Sequence, residues 1–142
     1  MAKPAECVFC KIVEGKAEAR KIYEDESNIA ILDVNPRFGE GQCLVIPKKH
    51  VEQFYELDDK DLFKLFKAVK AVALKIKKVY NPDFVALFSR GMGIPHVHIF
   101  VIPSYRHDVF ITSYMLLTLQ RRFDSGIKPE KLDKIAEKLR NA

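Results

Sequence analysis

An α+β fold is predicted for this 142-residue sequence by three features: short apolar runs at strand length, a long intervening segment with helical periodicity, and a further helical segment near the C-terminal end. The clearest strand is Ile29-Ala30-Ile31-Leu32, entered from Asn28 and left through Asp33. Pro36 and the Gly39-Glu40-Gly41 turn separate it from the run Gln42-Cys43-Leu44-Val45-Ile46-Pro47. Strands this close along the chain are expected to pair antiparallel. The first third as a whole reads as short strands broken by turns.

From Leu57 onward the period changes. Leu62, Phe63, Leu65, Phe66, Val69, Val72, Ala73 and Ile76 mark one apolar helix face, with Asp58 or Asp59 available as N-cap. Asn81-Pro82 ends that helix. Phe84-Val85-Ala86-Leu87-Phe88 then reads as a strand leading into the loop Ser89-Arg90-Gly91-Met92-Gly93-Ile94-Pro95. The next strand, His96 to Ile102, is expected to stop at Pro103, which cannot donate to a central ladder. The remainder reads as helical at about 112–123 and 129–140, with Pro129 suited to a first helical turn. One domain over 1–142 is expected, with a core at about 6–105 and a C-terminal helical extension at about 106–142.

With 48% hydrophobic and 30% charged residues, the composition excludes a disordered or fibrous chain. No apolar run approaches the roughly 18 residues of a membrane span, and the first residues carry no signal-peptide stretch, so a cytoplasmic location without membrane contact is the expectation. A net charge of +5 favours anionic partners. Lys70, Lys75, Lys77 and Lys78 nevertheless follow Asp58, Asp59 and Asp61 along the long helix, as the helix dipole prefers, so a solvated face is favoured over a nucleic-acid groove.

Chemistry concentrates around two histidines. Alternation along a strand puts His96, His98 and Phe100 on one face, roughly 6.6 Å between successive side chains. Cys7-Val8-Phe9-Cys10 offers two thiolates at a zinc-like spacing, with His50 and His96 as candidate partners for a tetrahedral site. A redox pair is the rival reading, but such pairs usually open a helix after a strand, a context that six preceding residues do not supply. Cys43, inside a predicted strand, reads as a buried small hydrophobe.

Four segments in order, Cys7-x-x-Cys10, Ile31-Leu32-Asp33-Val34-Asn35-Pro36, Leu44-Val45-Ile46-Pro47-Lys48-Lys49-His50 and His96-Val97-His98-Ile99-Phe100-Val101-Ile102-Pro103, resemble the histidine-triad (HIT) superfamily over about residues 6–105. The resemblance implies a five-stranded antiparallel sheet with helices, usually in a homodimer, that binds a nucleoside phosphate such as an adenosine nucleotide. It implies that His98 attacks the α-phosphate and forms a nucleotidyl-histidine. Covalent catalysis of this kind divides one displacement into two steps. By position, Ser89 and the amides near Gly91 and Gly93 are implied phosphate contacts, Asp33 holds the ribose hydroxyls, and Phe9, Ile12, Ile31 and Val34 surround the base. Cys7, Cys10, His50 and His96 match relatives that hold structural zinc.

Three departures stand out. Phe100 replaces the third histidine and can neither donate nor accept a conventional side-chain hydrogen bond. Gln42 stands where many relatives carry a histidine, and the loop before His96 is about four residues shorter than in the hydrolases. Three functions follow: a nucleotidyl hydrolase or transferase acting on a dinucleoside polyphosphate or nucleoside phosphoramidate, a nucleotide-binding protein with little turnover, and a protein that binds or deadenylates nucleic-acid ends. A covalent adduct dependent on His98 would mark the first, affinity without product the second, and steep salt dependence the third.

Overall fold

Alternating side chains along short strands give this protein a sheet with two different apolar faces. The computed structural model describes residues 6–89, 93–108 and 128–141. Five strands, β1 (Lys21–Glu24), β2 (Asn28–Leu32), β3 (Cys43–Pro47), β4 (Phe84–Phe88) and β5 (Ile99–Ser104), form an antiparallel sheet in the order β1-β2-β3-β5-β4. The expected hairpin is present, with β2 and β3 in register from Asn28 opposite Pro47 to Leu32 opposite Cys43. The chain divides into two compact units, Met1–Asp108 and Val109–Ala142. The first contains the sheet, α1 (Val8–Val13) and α2 (Asp59–Tyr80), and the second contains α3 (Pro129–Arg140). Among the described residues no helix is long and apolar enough to cross a membrane.

Helix α2 covers one face of the sheet. Its Leu65, Ala68, Val69, Val72 and Ile76 pack with Ala30, Cys43, Val45, Ile99 and Val101, the inward set of three strands, and with Val97 just ahead of β5. Asp58 caps the helix by accepting from the Asp61 N–H at 2.8 Å, and Asn81 closes it in the left-handed conformation (φ 44°). Gly41 has a φ of 84° and lies against the Tyr80 ring, which a Cβ at that position would strike. The turn before β3 therefore needs glycine for both reasons.

The opposite face packs Ile29, Ile31, Leu44 and Ile46 against Phe9, Cys10 and Ile12 of α1. Here the structure corrects several expectations. Residues 8–13 form a helix rather than a strand, a six-residue element too short to display a helical period. Phe63 and Phe66 fall outside the buried face of α2 and are exposed, Phe63 at 72%. The strand expected at His96 begins at Ile99, because the His96 N–H is taken by the Ile94 carbonyl and the Val97 N–H by the Val51 carbonyl. It also continues through Pro103. β3 pairs with β5 only as far as Val101, so Pro103 lies beyond that neighbour and costs no ladder bond on its side. The helix expected at about 112–123 lies outside the described residues, and α3 occupies the span expected for the last one.

Candidate functional site

Residues 96–98 leave the ladder but keep its alternation, so Val97 enters the α2-side core while His96 and His98 turn toward α1. Phe9 touches both imidazoles edge-on, with ring centroids 5.8 Å from His96 and 5.2 Å from His98. From here the two histidines diverge.

His96 is fully buried, and its Nε2–H donates to the Pro47 carbonyl at 2.8 Å. That bond leaves Nδ1 bare. Nδ1 lies 3.4 Å from Cys7 Sγ, 3.6 Å from Cys10 Sγ and 3.2 Å from His50 Nδ1, and Cys10 Sγ lies 3.2 Å from His50 Nδ1. The four donor atoms all fall within 4.8 Å of one another and could hold a metal ion. Burial pushes His96 down to about 4, against the opposing pull of the Pro47 carbonyl, so its imidazole is neutral, the form that ligates. Burial, with Cys7 beside it, pushes the Cys10 thiol up to about 11, so a thiolate there calls for a cation. Cys43 is separate, buried on the α2 side with its S–H donating to the Gly41 carbonyl at 3.2 Å. Burial pushes it to about 11 as well.

His98 is 7% exposed and faces a cleft of about 730 Å³. Its Nδ1–H donates to the His96 carbonyl at 2.7 Å, which leaves Nε2 with a free lone pair. The cleft brings together Phe9, Ile12, Ile31, Asp33, Val34 and Gly93 with His98 and Phe100. Val34 lines it while remaining 77% exposed. Ser89 is placed otherwise: it is not in the cleft lining, and its hydroxyl donates to the His98 carbonyl at 3.2 Å. Gly91 lies outside the described residues.

In the sequence Gln42 stands only as a departure from the family pattern, yet it is 2% exposed and structurally engaged. Its Nε2–H donates to Asp33 Oδ2 at 2.5 Å, and its Oε1 accepts from the Phe38 N–H at 3.3 Å. The Asn35 N–H supplies Asp33 Oδ1 at 2.9 Å. A buried amide thus fixes both the carboxylate and the loop after β2. A polar residue at the head of an otherwise apolar run is the available signal. Glu18, Arg37 and Phe88, also in the lining, carried none.

The HIT domain profile matches residues 14–107. An uncharacterized HIT-like protein of Methanocaldococcus jannaschii is 40% identical, over 72% of this chain and 81% of its own. The adenosine 5'-monophosphoramidase hnt1 of Schizosaccharomyces pombe is 34% identical, over 69% of this chain and 74% of its own. The adenylylsulfatase HINT3 of Arabidopsis thaliana is 33% identical, over 78% of this chain but 58% of its own. Among solved structures, a HIT family member from Bacillus subtilis covers 96% of both chains at 29% identity with a TM-score of 0.79. A hypothetical histidine triad nucleotide-binding protein from Sulfolobus tokodaii is 40% identical over 72% of this chain and 71% of its own, TM-score 0.67. A zinc-bound histidine triad family protein from Mycobacterium smegmatis is 29% identical over 75% and 81%, TM-score 0.69.

Proposed function

This chain belongs to the HIT domain family, and from that premise we propose that it binds a nucleoside phosphate in the His98 cleft and transfers the nucleotidyl group through His98. One observation carries the reading: His98 Nε2 is free at the cleft while Nδ1–H is anchored on the His96 carbonyl, so the ring is oriented and its tautomer set before substrate arrives. The adenylylsulfatase and phosphoramidase relatives support a hydrolytic outcome. Asp33, held from two sides, is assigned the ribose hydroxyls, and Phe9, Ile12, Ile31 and Val34 the base. The amides near Gly91 and Gly93 are assigned the phosphate, with Ser89 steadying the His98 backbone beside them.

Zinc is our assignment for the four-donor cluster, in a structural role. Bonds of about 2.3 Å to sulfur and 2.0–2.1 Å to nitrogen give tetrahedral edges of about 3.3 to 3.8 Å. Four of the six separations between these donors, 3.2 to 3.6 Å, lie close to that figure, and all six stay within 4.8 Å. Cys7, Cys10, His50 and His96 would hold the ion and tie α1 to the segment that carries His98. We read the chain as one domain, with a core at about 6–105 and a helical extension at about 106–142, and as a homodimer. Edge strand β4, with Phe84, Leu87 and Phe88 exposed, supports self-association, and sedimentation equilibrium would test it.

The test of function is incubation of metal-replete protein with adenosine-containing polyphosphates, followed by detection of AMP and of an adenylylated protein by mass spectrometry. An adduct that maps to residue 98 is expected. Measured affinity with neither AMP nor adduct would replace transfer with binding alone, a second reading that Phe100 favours because it removes a polar group from the cleft.

A further inference from the structure

Resting on the nucleotidyl-transfer reading, we propose that this protein releases nucleoside monophosphates from mixed anhydrides, whose leaving group departs as a stable anion, and spares phosphoramidates, because residue 100 has no proton to give. Attack by His98 Nε2 sends the departing atom away from the imidazole and into the cleft that Phe100 also lines. Beside His98 stands the Phe100 ring, with centroids 5.2 Å apart, and Phe88 follows at 6.1 Å from Phe100. Both rings line the cleft and neither carries a transferable proton.

Most other described polar groups of this region are held by partners. The His98 Nδ1–H is on the His96 carbonyl, and the Ser89 hydroxyl is on the His98 carbonyl. Asp33 accepts at both oxygens, from Asn35 and Gln42. Arg37 can balance developing negative charge but does not surrender its proton. Glu18 lines the cleft with its side chain open to bulk water.

The chemistry then selects the leaving group. With adenylyl sulfate, the Nε2 lone pair forms the P–N bond, the bridging P–O bond breaks, and its electron pair leaves on sulfate with no proton needed. Water next forms a P–O bond while the P–N pair returns to Nε2 and the water proton passes to solvent, which yields AMP. With a phosphoramidate, the breaking P–N bond puts its pair on nitrogen, which must gain a proton to leave as an amine. An acid positioned at that atom is worth about 10²- to 10⁴-fold in rate. The two named relatives, an adenylylsulfatase and a phosphoramidase, span both kinds of leaving group, so membership of the family leaves the choice open.

The test compares kcat/KM for adenylyl sulfate and adenosine 5'-phosphoramidate on the metal-replete full chain. This parameter reports steps up to release of the leaving group, so the shared hydrolysis of the adduct cancels. Adenylyl sulfate is expected to be preferred by at least about 10²-fold, and Phe100→His to shrink that ratio by about 10²-fold. Similar values for the two substrates in the wild type, each with an adduct on residue 98, would overturn the inference while nucleotidyl transfer stands. A preference that Phe100→His folds around but does not reduce would overturn the assignment to residue 100. Neither AMP nor adduct from either substrate would remove the transfer reading and this inference together.

Discussion

The two faces of the sheet are built from the same strands, yet one is filled and the other is furnished. On the α2 side, Val97, Ile99 and Val101 meet Leu65, Val69 and Val72 in a continuous apolar layer. On the α1 side, the alternate residues His96, His98 and Phe100 meet a helix of six residues, and a four-donor cluster and an open cleft take the place of further packing. A short helix cannot cover a sheet face by itself. The lesson is that stability and chemistry are separated by the period of two along residues 96–101, and that a metal bound in the cluster would supply a tie the small α1 interface lacks.

The largest expected contrast is catalytic. His98→Ala should lower AMP formation by at least about 10³-fold and abolish the adduct, since loss of a covalent nucleophile is seldom compensated. Leu65→Ala, on the filled face, should leave the adduct detectable. Stability should fall on either face, but metal content on only one. Cys10→Ser is expected to lose bound metal, measured by elemental analysis, and about 3 to 5 kcal/mol of unfolding free energy. That is a fraction of the ~10 kcal/mol or more seen when zinc organises a small peptide, because the α2-side core survives. Leu65→Ala should cost a similar ~2 to 5 kcal/mol by opening a cavity, with full metal content. Equal metal content in both variants would erase the proposed division of labour.

A pH titration sharpens the same contrast. In metal-free protein, burial holds His96 at about 4 against an ordinary 6.5, so the unfolded chain takes up a proton first as pH falls. The stability involved is intact above about 6.5, is lost progressively between about 6.5 and 4, and changes no further below that. Its total is about 3 kcal/mol. Urea unfolding in the presence of chelator at pH 7.5, 6.0 and 5.0 would measure it. A flat profile across that window would show that His96 is not held neutral by burial.

Much of the filled face was legible in the sequence because α2 carries a period of 3.6 and because β3 and β5 are continuous apolar runs of strand length. The period alone could not separate inner from outer apolar positions. Phe63 and Phe66 fall within the helical stripe and are exposed, since the sheet is covered by a narrower set of residues. On the furnished side the elements are short. Neither α1 nor the partly exposed edge strand β1 completes a recognisable pattern, and the start of β5 depends on where the Ile94 and Val51 carbonyls lie. The four candidate metal donors were legible as one set, and the backbone brings positions 7, 10, 50 and 96 within 4.8 Å of one another. Gln42 shows the limit most clearly, because a substitution that reads as a lost contact proves to be a brace.

That brace gives the smallest expected effect. Gln42→Leu keeps the side-chain bulk but removes the donor to Asp33 and the acceptor for the Phe38 N–H. One hydrogen bond to a charged group is worth about 1.5 to 3 kcal/mol at most, and Asn35 still holds the other Asp33 oxygen. A loss of about 1 kcal/mol in ribose binding is therefore expected, close to a fivefold rise in KM for an adenosine substrate with little change in kcat. Because Asp33 is assigned the ribose hydroxyls, the preference for adenosine over 2'-deoxyadenosine substrates should shrink by a comparable factor. If KM rises equally for both sugars, Gln42 supports only the loop fold and does not aim the carboxylate. The furnished face would then owe its ribose selectivity to Asp33 and the Asn35 amide alone.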